Sequence, residues 1–101
     1  MPRSRVPIAC TLTADAMPGR LADWRGVMGF VRTRSPIDGG LRLELDPSAP
    51  LPEITGLAAA EQECCRFFAF ALTIDQRELA LQVRAPGDAL PVLHALFGVA
   101  A

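Results

Sequence analysis

The segment "PIDGGLRLELD" constrains the fold more than any other part of this sequence. Its proline, aspartate and glycines supply turn chemistry, and leucines then alternate with charged residues. Because successive side chains of a strand point to opposite faces, residues 30–46 are predicted to form a β-hairpin with one apolar and one charged face. The apolar face needs a cover, which a layer of helices would supply, and the charged face would then point away from the helices.

The rest of the chain divides at proline and glycine into short elements. Helical spacing of apolar residues predicts three helices, over 15–29, 52–65 and 88–97. Alternating apolar residues predict three further strands, over 6–13, 68–75 and 78–85. Asp15 and Asp88 are the predicted N-caps of the first and last helices, and Gly98 is predicted to stop the last one.

These elements follow the order βαββαββα, which predicts a two-layer α+β fold with helices on one face of a mostly antiparallel five-stranded sheet. At 101 residues the chain can form one core, so we expect a single domain over 1–101 with a flexible end at 1–7. On the first helix, Arg20, Asp23 and Arg25 are expected to face solvent. The apolar side chains predicted to fill the core are Leu12, Leu21, Trp24, Leu43, Leu57, Phe68, Phe70, Leu81, Leu93 and Phe97.

Charge and hydropathy exclude several classes of function. The chain has 10 basic and 11 acidic residues, and its net charge of -1 provides no field that would attract nucleic acid. No apolar run reaches the roughly 20 residues of a membrane span, and the start of the chain lacks the apolar core of a signal peptide. We therefore expect a cytoplasmic protein that by itself binds neither nucleic acid nor membranes.

The segment "AAAEQECCRFFAF" carries the strongest candidate for a site. Glu61 precedes Cys64 and Cys65 by three and four residues, so a helix places all three side chains on one face. This face also carries Ile54, so Glu61 occupies a position suited to an apolar residue and should need a charged or hydrogen-bonded partner. Adjacent cysteines point about 100° apart on a helix, so both can line one pocket only where the helix ends or distorts.

The three cysteines of the chain are an odd number, and in a reducing cytosol this argues against a disulfide framework. Cys10, on the inward side of the first predicted strand, is a candidate third ligand beside Cys64 and Cys65. Such thiolates would suit Hg(II), Cd(II), Zn(II), Cu(I) or a trivalent arsenical, and Arg66 next to the pair would favour the thiolate form. The alternative is that the cysteines only fill the core, because free cysteine packs like a small hydrophobe.

Several other polar residues have two interpretations. His94 either supplies a fourth ligand or a proton donor, or only stabilises the end of the last helix through the helix dipole. Arg32, Arg34, Arg42 and Arg84 alternate along predicted strands and are expected on the helix-free face of the sheet. That face is either solvated or an interaction surface, and with the free strand edges it is compatible with a homodimer.

The sequence resembles a small bacterial domain that is attached to the C-terminus of MerR-type heavy-metal-responsive regulators and also occurs as free-standing proteins. The resemblance covers about residues 9–98 and is carried by "ACTL", "DWR", "GGLRLELD", "AAEQECCRFFAFALTID" and "VRAPGDALPVLHALFG". It implies a role in handling a metal or metalloid. Because this sequence is similar to the free-standing version, without a helix-turn-helix region, DNA binding is not carried over. The positions that match the motif of the domain are Glu61, Cys64 and Cys65, together with Cys10 and Trp24.

Three functions remain open at this point. The favoured one is binding of a thiophilic, Hg(II)-like metal or metalloid for sensing, scavenging or resistance, with Cys64, Cys65 and Cys10 as ligands and Glu61 and Arg66 assisting them. The second is a thiol-dependent enzyme of organomercurial lyase type, in which Glu61 protonates the departing carbon. The third is an interaction module with structural cysteines. Binding is favoured because no other convergent polar groups define a substrate pocket.

Overall fold

A computed structural model of the chain describes residues 17–76 and 78–99, and it confirms the α+β class. Within these residues the sheet has four strands rather than five, because the strand predicted over 6–13 lies outside the described part. The elements follow one another as α1 (Met17–Met28), β1 (Val31–Ile37), β2 (Gly40–Leu45), α2 (Leu51–Cys64), β3 (Ala69–Ile74), β4 (Leu79–Arg84), a 3-10 turn (Gly87–Ala89) and α3 (Leu90–Phe97).

The four described strands form an antiparallel sheet in the order β1-β2-β4-β3. The predicted hairpin is present, with a tight turn in which Gly39 adopts a positive φ of 76°. Its neighbour Gly40 lies so close to β4 that an added Cβ would come within 1.8 Å of the Val83 carbonyl oxygen. Glycine is therefore required at both positions for different reasons: one needs the left-handed backbone region, and the other needs the space.

An irregularity in β1 changes the face on which Arg34 lies. The register between β1 and β2 shifts between Val31 and Thr33, and Arg34 then pairs with Leu43, which is fully buried. A bulge of this kind re-aims the side chains that follow it. The Arg34 guanidinium lies against the helical layer, where its Nε donates to the carbonyl oxygen of Phe97 at 2.7 Å. The prediction that Arg34 lies on the helix-free face of the sheet is therefore wrong.

The core lies between the sheet and the helices, as the apolar periodicities predict. Of the predicted core residues, Leu57 and Phe70 are only partly buried but pack against it, Leu21 is half-buried, and Leu12 lies outside the described residues. The predicted residues that are fully enclosed, each with 1% exposure or less, are Trp24, Leu43, Phe68, Leu81, Leu93 and Phe97. The core is therefore aromatic at its centre and aliphatic along β2 and β4.

The last helix begins differently from the prediction. Asp88 lies inside the 3-10 turn, and the N-cap position of α3 belongs to Ala89, without a side-chain hydrogen bond. The end of α3 does agree with the prediction: Gly98 adopts φ 89°, and its N–H donates to the His94 carbonyl oxygen at 2.9 Å. The proline at the second position of α3 suits a first helical turn, so the helix can begin without an acidic cap.

The second helix agrees with the prediction to within one residue at each end. It spans Leu51–Cys64, with a proline in its first turn. It is also the longest of the three described helices, at 14 residues. No helix in the described part combines the length and apolar character needed to cross a membrane.

Candidate functional site

The end of α2 separates the two adjacent cysteines. Cys64 is the last residue of the helix, and Cys65 has left it, with φ -122° and ψ 79°. The Cys65 N–H still donates to the Glu61 carbonyl oxygen at 2.6 Å, and the Cys65 carbonyl accepts from the N–H of Phe68 at 3.1 Å. The expectation that the helix ends at the cysteine pair is confirmed, and the Cys65 backbone is anchored on both sides.

Glu61 is the buried acid that the sequence pattern singles out, with only 2% of its side chain exposed. Its Oε1 accepts a hydrogen bond from the indole Nε1 of Trp24 at 2.7 Å and another from Arg20 at 3.2 Å. A buried carboxylate is tolerated when a cation and hydrogen-bond donors compensate for its lost hydration. The prediction that Glu61 needs such partners is confirmed.

Arg20 is a site residue that sequence reasoning missed. It was expected in solvent, but only 15% of its side chain is exposed, and its guanidinium reaches both Glu61 and Cys64 Sγ, the latter at 3.9 Å. Burial alone would lower the pKa of Arg20, but the hydrogen bonds to Glu61 and Cys64 raise it above its ordinary value. The available signal was its spacing of four residues from Trp24, which places both donors on one face of α1.

Arg20, Trp24, Glu61 and Cys64 together form what we call the polar cluster. Each helix contributes two members, one turn apart, so the cluster follows the line along which α1 and α2 meet. The indole of Trp24 fixes the cluster to the core. It packs edge-on against Phe97, with the ring centroids 4.8 Å apart, and it stacks on Phe70, with the ring centroids 6.0 Å apart. The carboxylate therefore has a rigid donor on one side and a longer, more adaptable cation on the other.

Cys64 and Cys65 differ in chemical state and in exposure. Cys65 is disulfide-bonded and only 3% exposed, whereas Cys64 is half-buried and not disulfide-bonded. The expectation that a disulfide is absent is therefore wrong for Cys65. An odd number of cysteines excludes only complete pairing, and one disulfide beside one thiol satisfies the same count. Cys10, the predicted third ligand, lies outside the described residues.

The other candidate ligands lie in less specific surroundings. Arg66 is exposed, and the structure places Arg20 rather than Arg66 against the Cys64 sulfur. His94 is half-buried in the last turn of α3. Among residues 17–76 and 78–99, no three histidine, cysteine, aspartate or glutamate side chains are grouped so that they could hold a metal ion. Within this part of the chain, the Cys64 sulfur lies beside Arg20, which also binds Glu61.

A separate cleft of about 580 Å³ also lies between α1 and α2. Its walls combine small, apolar and acidic residues: Ala22, Asp23, Gly26, Val27, Phe30, Pro50, Glu53, Gly56 and Leu57. None of these residues belongs to the polar cluster, and none of the described cysteines lines the cleft. Cys64 therefore belongs to the polar cluster and not to this opening.

Comparisons with known proteins do not assign the chain to a family. No family model matches it, and no curated protein or solved structure matches it either. The resemblance to the domain of MerR-type regulators consequently rests on the quoted segments alone. The feature of the chain that bears on its function is the chemistry at the end of α2.

Proposed function

We propose that this protein binds a thiophilic metal or metalloid ion of the Hg(II) type, with Cys64 and Cys65 as its principal ligands. The observation that carries the proposal is the contact of Arg20 with both Cys64 Sγ and Glu61 Oε1, at 3.9 Å and 3.2 Å. The thiolate is the form of cysteine that binds metal. The Arg20 guanidinium lies where it can pair with such a sulfur.

The backbone around the pair supports two sulfur ligands from adjacent residues. Because α2 ends at Cys64, the side chain of Cys65 is not held at the helical angle to its neighbour. Two thiolates from this segment would suit Hg(II), which prefers soft sulfur ligands to imidazole or carboxylate. Cys10 would add a third bond if its segment lies near the end of α2, and Cys65 has to be reduced before it can act as a ligand.

Glu61 is proposed to orient Arg20 and not to bind the ion. Both of its described hydrogen bonds arrive at Oε1 from donors, so its role in the cluster is that of an acceptor. Partners of this kind fix the groups that touch the metal and influence affinity indirectly. The lyase alternative would need Glu61 as an acid, and a protonated Glu61 would lose the charge that Arg20 pairs with. The observed contacts therefore favour binding over catalysis.

The proposal is tested by titrating the fully reduced protein with Hg(II) and following the ultraviolet thiolate-to-metal absorption. We expect one ion per chain. Replacing both Cys64 and Cys65 with serine should abolish the signal, and Cys10→Ser should weaken binding. Arg20→Gln should weaken it by about 10- to 100-fold, as is typical when a partner outside the ligand set is changed.

His94→Ala is the matched control, because it removes the other candidate ligand without touching the polar cluster, and it should leave binding unchanged. Circular dichroism of every variant separates lost ligands from lost folding. Undiminished binding in the double serine variant would contradict the proposal. So would cysteines that react with a thiol reagent only after unfolding, since that behaviour belongs to side chains that merely fill the core.

A further inference from the structure

We propose that the disulfide at Cys65 closes the metal site, so that the protein takes up an ion only after thiol–disulfide exchange has reduced this bond. The inference rests on the proposed function, because it concerns the regulation of the same site. Its starting point is the different state of two adjacent cysteines: Cys65 is disulfide-bonded and Cys64 is not. A sulfur held in a disulfide is not a thiolate and cannot serve as a normal metal ligand.

The surrounding structure can be shared by the closed and open forms. The Cys65 backbone is held by hydrogen bonds to Glu61 and Phe68, and these bonds do not involve its sulfur. The polar cluster likewise reaches Cys64 without using Cys65. Reduction would therefore release the Cys65 sulfur on a backbone whose hydrogen bonds are already formed.

The reductant has to come from outside the protein. Attack by Cys64 on the neighbouring sulfur would form a disulfide between adjacent residues, a small ring with strained geometry. We assign the role to a low-molecular-mass dithiol. Its thiolate attacks one sulfur of the protein disulfide and forms a mixed disulfide, and its second thiolate then displaces the remaining cysteine. Two electrons pass to the protein, which gains two thiols, and the dithiol leaves as a cyclic disulfide.

Metal uptake and closure of the site both use the Cys65 sulfur. A divalent ion that binds two cysteine thiolates displaces two protons to solvent. An oxidised low-molecular-mass disulfide would reverse the exchange, reforming the protein disulfide and leaving as two thiols. The bound ion protects the thiolates from this reaction, so metal and disulfide compete for Cys65. The protein would then respond both to its ion and to the thiol redox state around it.

The test compares one protein in two redox states. The full chain is reduced with dithiothreitol under anaerobic conditions, or oxidised with oxidised glutathione, and is then desalted. Intact mass identifies the fraction that has lost two hydrogens and carries no adduct. Each form is titrated with Cd(II), because a single thiolate cannot chelate this ion. We expect the oxidised form to bind at least about 100-fold more weakly, beyond the range typical of a change outside the ligand set.

Cys65→Ser is the matched control. It should bind Cd(II) equally weakly after both treatments, because it has neither a Cys65 disulfide to open nor the second of the two principal ligands. Should this variant fold poorly, the two forms of the natural sequence still decide the question. Equal Cd(II) affinity in these two forms would overturn the redox inference while leaving the metal-binding proposal intact. Absence of Cd(II) and Hg(II) binding in both forms would overturn both.

Discussion

Two ion pairs of this protein have nearly the same length and very different surroundings. Arg20 and Glu61 approach to 3.2 Å between α1 and α2, and Arg32 and Asp46 approach to 3.1 Å beside the β1–β2 hairpin. The first pair is 15% and 2% exposed, whereas the second is 60% and 40% exposed. Distance does not distinguish the two pairs, but burial does, since water competes with the second and is largely excluded from the first.

The pairs also differ in what else holds the carboxylate. Glu61 accepts from the Trp24 indole, which is itself packed into the aromatic core. Asp46 accepts from the hydroxyl and the backbone N–H of Ser48, two residues further along the chain. These bonds from Ser48, and to a smaller extent Arg32, lower the pKa of Asp46. Glu61 is thus held by residues far away in the sequence, whereas Asp46 is held mainly by Ser48 in its own turn.

The largest effect is expected from Glu61→Ala. Removing the carboxylate leaves a mostly buried Arg20 without its partner and Trp24 without its acceptor, and breaking a buried pair in this way costs about 3–5 kcal/mol. Denaturant unfolding under constant redox conditions would measure the loss. Asp46→Ala is the matched control and should cost far less. Equal losses in the two variants would show that burial does not separate the pairs.

Trp24→Phe should have the next largest effect. The substitution keeps an aromatic ring against Phe97 but removes the indole N–H, so Glu61 loses one of its two donors. Leaving a buried acceptor underused costs about 1–3 kcal/mol. The free energy of unfolding from denaturant titration measures this loss. If Trp24→Phe were as stable as the natural sequence, the bond from Arg20 alone would satisfy Glu61. The two ion pairs would then differ only in how deeply they are buried.

The ionic strength should affect the exposed ion pair more than the buried one. Arg32→Ala should cost no more than about 1 kcal/mol at low ionic strength, the usual range for a surface ion pair. The cost should nearly vanish at about 1 M salt, where the Debye length falls to about 3 Å. The cost of Arg20→Ala, measured by the same denaturant titrations, should change little between the two conditions. A strong salt dependence at Arg20 would show that water reaches the polar cluster.

The smallest effect concerns the pH dependence of Asp46. Its pKa in the folded protein lies below the ordinary value of about 3.8, so its ionised form contributes stability above that value and loses it as the pH falls through the folded pKa. Asp46→Asn should therefore be slightly less stable near neutral pH. The difference should shrink below about pH 3.8, which thermal unfolding over a pH series would detect. A constant difference would point to packing and not to charge.

Local patterns predicted much of the fold. Alternation around Gly39 and Gly40 predicted the first hairpin, and helical spacing placed α2 to within one residue at each end. These predictions succeeded because periodicity and turn chemistry act between residues close in sequence. The N-cap of α3 could not be predicted in the same way: Asp88 was a plausible cap, but the chain first forms a 3-10 turn, so the N-cap falls one residue later, at Ala89.

Only the part of the candidate site that depends on residues close in sequence could be predicted. The position of Glu61 on an apolar stripe showed that a partner was needed, and its spacing from Cys64 placed both on one face of α2. The sequence did not say which residue would be that partner. Arg20 and Trp24 lie 41 and 37 residues away from Glu61, and only the packing of α1 against α2 brings them together.

The sequence by itself determined the order of the described elements, the acid in the apolar stripe and the end of α2 at the cysteine pair, because each depends on neighbours along the chain. The tertiary structure decided that Arg20 turns inward, that a bulge carries Arg34 to the helical layer, and that Cys65 is disulfide-bonded. The first two outcomes depend on contacts between distant segments. Whether a charge is buried or a sulfur is paired depends on which groups the fold places against it. The local periodicity of the sequence does not predict those groups.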